Sequence, residues 1–159
     1  MSPELELLLC ERYPQIFRYR RLPPTEHSMG RGFDCGDGWF VVIDAACAVI
    51  ASPYLGAKRH YEWMQEQARD GIPEADAAAI RVARLQMSAK EQQLPSALQV
   101  KEKLGTLRFY LEGGGERTRA CAEFAQYMSE FMCEICGRPG IMLSDGGWMR
   151  MRCEFHDGE

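Results

Sequence analysis

Apolar residues recur along this chain with two spacings, and the spacing changes near residue 95. Before that point the repeat is helical. Leu5, Leu7, Leu8, Leu9 and Cys10 predict a short helix over Pro3–Arg12, ended by Tyr13-Pro14. Tyr13 to Arg31 is irregular and rich in Pro and Gly. Trp39, Val42, Ile43, Ala46 and Ile50 then share one helical face, with Asp44 off it. Asp37 is placed to cap this helix and Pro53 to end it. Tyr54 to Arg69 reads as a further helix, stopped by Asp70-Gly71. Pro73, at a first-turn position, begins another that runs through Ala77, Ile80, Val82 and Leu85 to about Gln93. The apolar faces of these last two are weak, so residues 54–93 read as a peripheral helical pair, an insertion.

Beyond Leu94-Pro95 the repeat becomes alternation. Leu98 and Val100 alternate with Gln99 and Lys101. Leu107, Phe109 and Leu111 alternate with Arg108 and Tyr110, and Lys103-Leu104-Gly105-Thr106 turns between them. This predicts a β-hairpin with one buried face. Gly113-Gly114-Gly115 breaks the chain. Glu116 to Phe131 returns to helical spacing, with Ala120, Cys121, Phe124, Tyr127, Met128 and Phe131 on it. A second hairpin is expected around Asp145-Gly146-Gly147. The expected fold is therefore α+β: a helical body with a β-hairpin, open to extension by another short strand, and a C-terminal zinc-ribbon-like module. Residues 1–131 form the α+β domain on this reading, and residues 132–159 the module.

The module carries the densest chemistry. Cys133-Glu134-Ile135-Cys136-Gly137 and Cys153-Glu154-Phe155-His156 supply two ligand pairs, each with two residues between. Three thiolates and an imidazole fill the tetrahedral shell of Zn²⁺. Gly137 follows the second sulfur, where a knuckle often needs a positive φ. The metal ligands are thus Cys133, Cys136, Cys153 and His156. A filled shell predicts a structural ion, because catalytic zinc keeps a position open for water. The His-x-Glu motif of zinc deaminases is missing. A short segment with few large apolar residues needs such a staple.

Net charge is −4 over 159 residues, which neither demands nor excludes a nucleic-acid partner. The run Leu7–Cys10 is too short for a secretory segment and is flanked by Glu4, Glu6 and Glu11. No apolar run in the sequence approaches a membrane span. Seven cysteines without a leader point to a reducing cytosol, with Cys10, Cys35, Cys47 and Cys121 as free thiols.

Other clusters carry weaker chemistry. Asp34, Cys35 and Asp37 lie in a Gly-rich turn that reads either as a thiol or metal enzyme site or as a plain helix-entry turn, the second being favoured. A nucleophilic Cys35 needs a base, and only His27 and His60 lie outside the metal shell. Arg18, Arg20 and Arg21 interleave with Phe17 and Tyr19, as in surfaces that hold phosphates and stack bases. Lys101, Lys103 and Arg108 would line the wet face of the first hairpin, pairing with Glu102 or Glu112 or contacting an anion. Within the module Arg138, Arg150 and Arg152 are offset by Glu134, Asp145, Glu154, Asp157 and Glu159, so a DNA grip there is not expected. No catalytic residue is assigned.

Three blocks resemble a group of small proteins encoded by phages and prophages of proteobacteria: Gly32 to Trp39, Val100 to Tyr110, and Cys133 to His156. Leu104 stands where that group is expected to carry Phe, and Met151-Arg152 precede Cys153 in place of Thr-Leu. The resemblance implies a context, the cytoplasm of a bacterial host, and not a mechanism. The function expected is non-catalytic binding of a host macromolecule, a protein or a protein–nucleic-acid complex, including inhibition of a host defence such as CRISPR. The alternatives are a nucleic-acid-binding accessory or regulatory protein, and an enzyme at the Asp34-Cys35-Asp37 turn.

Overall fold

The computed structural model describes residues 1–158; Glu159 lies outside the described residues. The fold is α+β. Four helices are α1 (Pro3–Arg12), α2 (Phe40–Arg69), α3 (Ala77–Gln92) and α4 (Gly115–Ser129). Five strands are β1 (Phe33–Asp34), β2 (Ser96–Lys103), β3 (Thr106–Glu112), β4 (Ile141–Asp145) and β5 (Trp148–Arg152). β1 joins β2 in parallel and β2 joins β3 antiparallel, giving a three-stranded sheet in the order β1-β2-β3. β4 and β5 form a separate antiparallel pair.

The core sits between α1, the first half of α2, α4 and one face of the sheet. Trp39, Ile43, Cys47 and Ile50 meet Leu9, Ile16, Val100, Leu107 and Phe109 there. From Gln99 onward the period-2 reading holds: Phe33, Val100 and Phe109 lie in register on the buried face, and Asp34, Lys101 and Arg108 on the other. Before it a bulge at Leu98 breaks the alternation, and Ala97 rather than Leu98 is buried. β3 is an edge strand, and α4 covers its open edge. Ser129 Oγ accepts from Leu107 N at 2.9 Å, and Gln126 Oε1 from Phe109 N at 3.3 Å. Unpaired strand amides are thereby satisfied without a fourth strand.

Several sequence expectations need correction. Pro53 does not end a helix; α2 runs through it for 30 residues. Proline removes the amide that would serve the carbonyl one turn earlier. That carbonyl, Val49 O, is taken instead by Ser52 Oγ at 2.9 Å and by the Arg117 guanidinium at 3.3 Å. Joined in this way, Asp37–Arg69 is long and apolar enough to cross a membrane by length and composition, contrary to the expectation that no run approaches a span. Its Val42, Ile43, Ala46, Cys47, Ile50 and Ala51 nevertheless form the centre of the core.

Asp37 does not cap α2. Its carboxylate accepts from Ser2 N at 2.6 Å and so holds the entrance of α1. α3 begins at Ala77 rather than at Pro73, because Asp76 caps it by accepting from Ala79 N at 2.8 Å. The first helix of the expected 54–93 pair is not separate but the second half of α2. Beyond Tyr54, α2 packs with α3 around a small cluster of Met64, Ala75 and Ala83. On α4 the buried face is Thr118, Ala122, Ala125 and Ser129, while Phe124, Tyr127 and Phe131 face solvent.

Candidate metal centre

The knuckle Cys133–Gly137 follows α4 directly, and β5 returns the chain to Cys153. Two backbone bonds shape the knuckle: Cys133 N donates to Arg138 O at 2.8 Å and Gly137 N to Cys133 O at 2.8 Å. Gly137 has φ of 75°, a conformation glycine reaches cheaply. The second pair is closed by His156 N donating to Cys153 O at 2.9 Å.

Cys133, Cys136, Cys153 and His156 converge, and their ligating atoms all lie within 4.8 Å of one another. Cys136 Sγ is 3.6 Å from Cys153 Sγ, and His156 Nδ1 is 3.6 Å from Cys133 Sγ and 3.3 Å from Cys153 Sγ. A tetrahedral ion bonded at about 2.3 Å to sulfur and about 2.05 Å to nitrogen has edges of about 3.8 and 3.6 Å. The cluster therefore has the size of a four-coordinate shell and could hold a metal ion. Cys133 and Cys153 are buried, His156 half-buried and Cys136 exposed, so the inner side is dry and one edge meets water.

Electrostatics favour a thiolate at the buried end. Burial pushes the Cys133 thiol up, but hydrogen bonds from the backbone of Cys136, Cys153 and Ile135 outweigh it and bring the thiol down to about 6. A ligand that sheds its proton near neutral pH competes well for a cation.

The inner side of the knuckle rests on the Gly32–Trp39 turn. Gly36 N donates to Glu134 Oε1 at 3.0 Å, Gly38 N to Glu134 O at 2.7 Å, and Trp39 Nε1 to Met132 O at 3.0 Å. A Cβ on Gly38 would overlap Cys133 O and Gly137 N, and one on Gly36 would overlap Glu134 O. These glycines are there to let two backbones touch. Glu134 is the hub: its other carboxylate oxygen pairs with Arg152 Nη1 at 3.2 Å, with the two side chains only 15% and 12% exposed. Its role was missed in the sequence. The available signal was a carboxylate inside a Cys-x-x-Cys loop, paired with a turn whose glycines alternate.

The same contacts make the Asp34-Cys35-Asp37 turn the surface on which the knuckle rests. Burial pushes the Cys35 thiol up to about 12, the opposite of an activated nucleophile. His27 stacks near Tyr19 and accepts from Met29 N; His60 lies beside Trp63. All seven cysteines are free, with Cys35 and Cys47 buried and Cys10 and Cys121 half-buried.

The candidate anion residues fall into two groups. Arg18, Arg20 and Arg21 line one cleft of about 710 Å³, together with Glu6 and Glu11. Arg20 pairs with Glu6, and Arg18 donates to Gln15 O at 2.6 Å, so these two hold the loop after α1. On the sheet, Lys101 stands opposite Arg108, with Asp34 on its other side. The expected partner Glu102 is on the other face and accepts from Gly105 N at 2.6 Å. Lys103 is exposed at the turn.

No protein-family model, no curated protein and no solved structure matches this chain.

Proposed function

We propose that the chain binds Zn²⁺ as a structural ion and acts by recognising a macromolecule, without turnover. The observation that carries this reading is the complete shell. Four protein donors sit at tetrahedral spacing, and the Gly36–Trp39 saddle closes their inner side. Three sulfurs with one imidazole suit zinc among the common divalent ions. With no place for a bound water, the ion has no Lewis-acid chemistry to offer a substrate.

What the ion holds up is a surface. Ile141, Trp148 and Phe155 are exposed, Trp148 by 79%. The Arg138 guanidinium lies 4.6 Å from the centroid of the Phe155 ring, and a cavity of about 430 Å³ opens beside them. Exposed aromatics with an arginine are the residue types that anchor recognition. On the resemblance of the three blocks, the target is a host macromolecule in the bacterial cytoplasm, with host-defence machinery, CRISPR complexes included, as the first class to test. Elemental analysis should find one zinc per chain, and capture from bacterial lysate should recover a partner that Trp148→Ala/Phe155→Ala loses. Absence of stoichiometric zinc overturns the staple, and an unchanged capture by the double variant overturns the surface.

One observation favours a second reading, direct contact with nucleic acid. Lys101 and Arg108 are like charges directly across two strands, with Asp34 beside Lys101 only, an arrangement that a bound anion would stabilise further. Lys103 and the exposed Tyr110 flank the pair. Salt-dependent binding of a single-stranded oligonucleotide, lost in Lys101→Ala/Lys103→Ala, would favour it; no binding at low salt removes it.

A further inference from the structure

α4 carries an exposed seam that nothing among the described residues covers. Arg117, Ala120, Phe124, Tyr127 and Phe131 follow one another at intervals of three, four, three and four residues, the a/d repeat of a coiled coil. The first four belong to α4 and Phe131 lies just past its end. The helix faces the core with a different stripe, Thr118, Ala122, Ala125 and Ser129. The seam is thus a second apolar face on one helix. Phe124, Tyr127 and Phe131 are 62%, 56% and 49% exposed, which leaves roughly 300 Å² of aromatic surface in water. Tyr127 and Phe131 meet edge to face at 5.1 Å.

α2 supplies the opposite wall. Val42, Ala45, Ala46 and Val49 line a groove of about 360 Å³ with Arg117, Ala120, Cys121 and Phe124. The exposed Val41 extends the apolar wall of α2. Arg117 closes one end, where its guanidinium is held by Val49 O and by Ser52 Oγ at 3.1 Å. A groove between two helices with an a/d stripe along one wall matches the receptor side of helix-in-groove recognition.

The flanks specify the occupant. Glu116, Glu123 and Glu130 occur every seven residues, each directly before an a position. They are exposed, and among the described residues none forms an ion pair. Arg119, exposed on the same side, pairs with none of them. On the other flank Cys121 and Met128 are half-buried against the core. A second copy of this chain fits poorly. Antiparallel, its three glutamates would oppose these three; parallel, they would face Cys121 and Met128 with no cation in reach. We propose that the α2–α4 groove receives an amphipathic helix of another protein, about four turns long, with a Leu-type apolar stripe flanked by Lys or Arg. This site is separate from the metal centre and does not depend on the reading given for it.

The probe is a labelled peptide of about three heptads, Leu at a and d and Lys at e and g, with a second peptide carrying Glu at e and g. Each is titrated into the full chain and followed by fluorescence anisotropy. The Lys peptide should bind about tenfold more tightly than the Glu peptide, as three flanking charge pairs imply. E116K/E123K/E130K should invert that order, and Phe124→Asp should abolish binding of both. All four positions are exposed, so circular dichroism should be unchanged. No binding of the Lys peptide, equal binding of both, or binding that survives Phe124→Asp overturns the proposal. So does a dimer that Phe124→Asp dissociates, which makes a second copy the occupant, or adsorption to phosphatidylcholine vesicles that the same change removes.

Discussion

The two hairpins of this protein have nearly the same plan and opposite sources of stability. β2–β3 pairs antiparallel through a two-residue turn at Leu104-Gly105, and β4–β5 through one at Gly146-Gly147. In the first, Ala97, Val100, Leu107 and Phe109 are buried, and α4 closes the edge. In the second only Met151 is buried, while Ile141 and Trp148 stand in water. Two strands alone are marginal in water. The first hairpin is built around the core, whereas the second gives it only Met151 and the half-buried Met142 and otherwise relies on its ligand cluster and its docking contacts. One place where they touch is Gly105, where a Cβ would crowd the Met142 side chain and lie 3.2 Å from Arg150 N.

The largest break in this comparison comes from the metal. Structural zinc contributes about 10 kcal/mol or more of folding free energy in small modules. A chelator should therefore erase hydrogen-exchange protection across β4–β5 while β2–β3 keeps its own. Acid should act the same way. Cys133 is held at about 6 against an ordinary 9, so its stabilising contribution is complete above pH 9. It is lost as pH falls towards 6, and further acid displaces the ion by protonating its ligands. Equal loss of protection in both hairpins would show that the ion staples the whole fold.

The converse test strikes the first hairpin. Leu107→Ala removes a fully buried side chain from the core and should cost about 2–5 kcal/mol in urea titration. The zinc content of the folded fraction should not change. Loss of metal at denaturant-free conditions would mean that the cluster needs the sheet beneath it.

These contrasts were partly legible in the residues. Cys-x-x-Cys and Cys-x-x-His announced the cluster because ligand spacing is a local property, and alternation through Val100 and Phe109 announced the buried sheet face for the same reason. Long-range contacts were not legible. Pro53 reads as a stop until Ser52 and Arg117, the latter from a distant helix, take the orphaned Val49 carbonyl. Asp37 reads as a cap until α1 offers Ser2 N. The helical spacing of Phe124, Tyr127 and Phe131 shows that an apolar face exists, not whether the fold covers it. The glycines of the Gly32–Trp39 turn signal a close approach but not its partner, since spacing cannot show what will approach a missing side chain.

Gly38→Ala tests the joint between the two regions. Its Cβ would overlap Cys133 O and Gly137 N, and backbone on both sides cannot yield as a flexible side chain does. A cost of about 1–3 kcal/mol is expected, as for other forced overpacking. Unlike Leu107→Ala it should also weaken metal affinity, read by competition with a chromophoric chelator. An unchanged affinity would mean that the saddle supports the knuckle without shaping it.

The smallest effect sharpens the contrast at the strand edges. Ser129 is fully buried and ties β3 to α4: its hydroxyl accepts from Leu107 N of β3 and donates to Gln126 O of α4 at 2.5 Å. Ser129→Ala leaves the Leu107 amide without a partner in a site closed to water, a loss of about 1–3 kcal/mol. No atom of the metal cluster moves with it. Exchange of the Leu107 amide should accelerate while amides across β4–β5 keep their rates. If the two hairpins instead loosen together, the contact at Gly105 couples them, and burial and ligation are no longer separate sources of order in this fold.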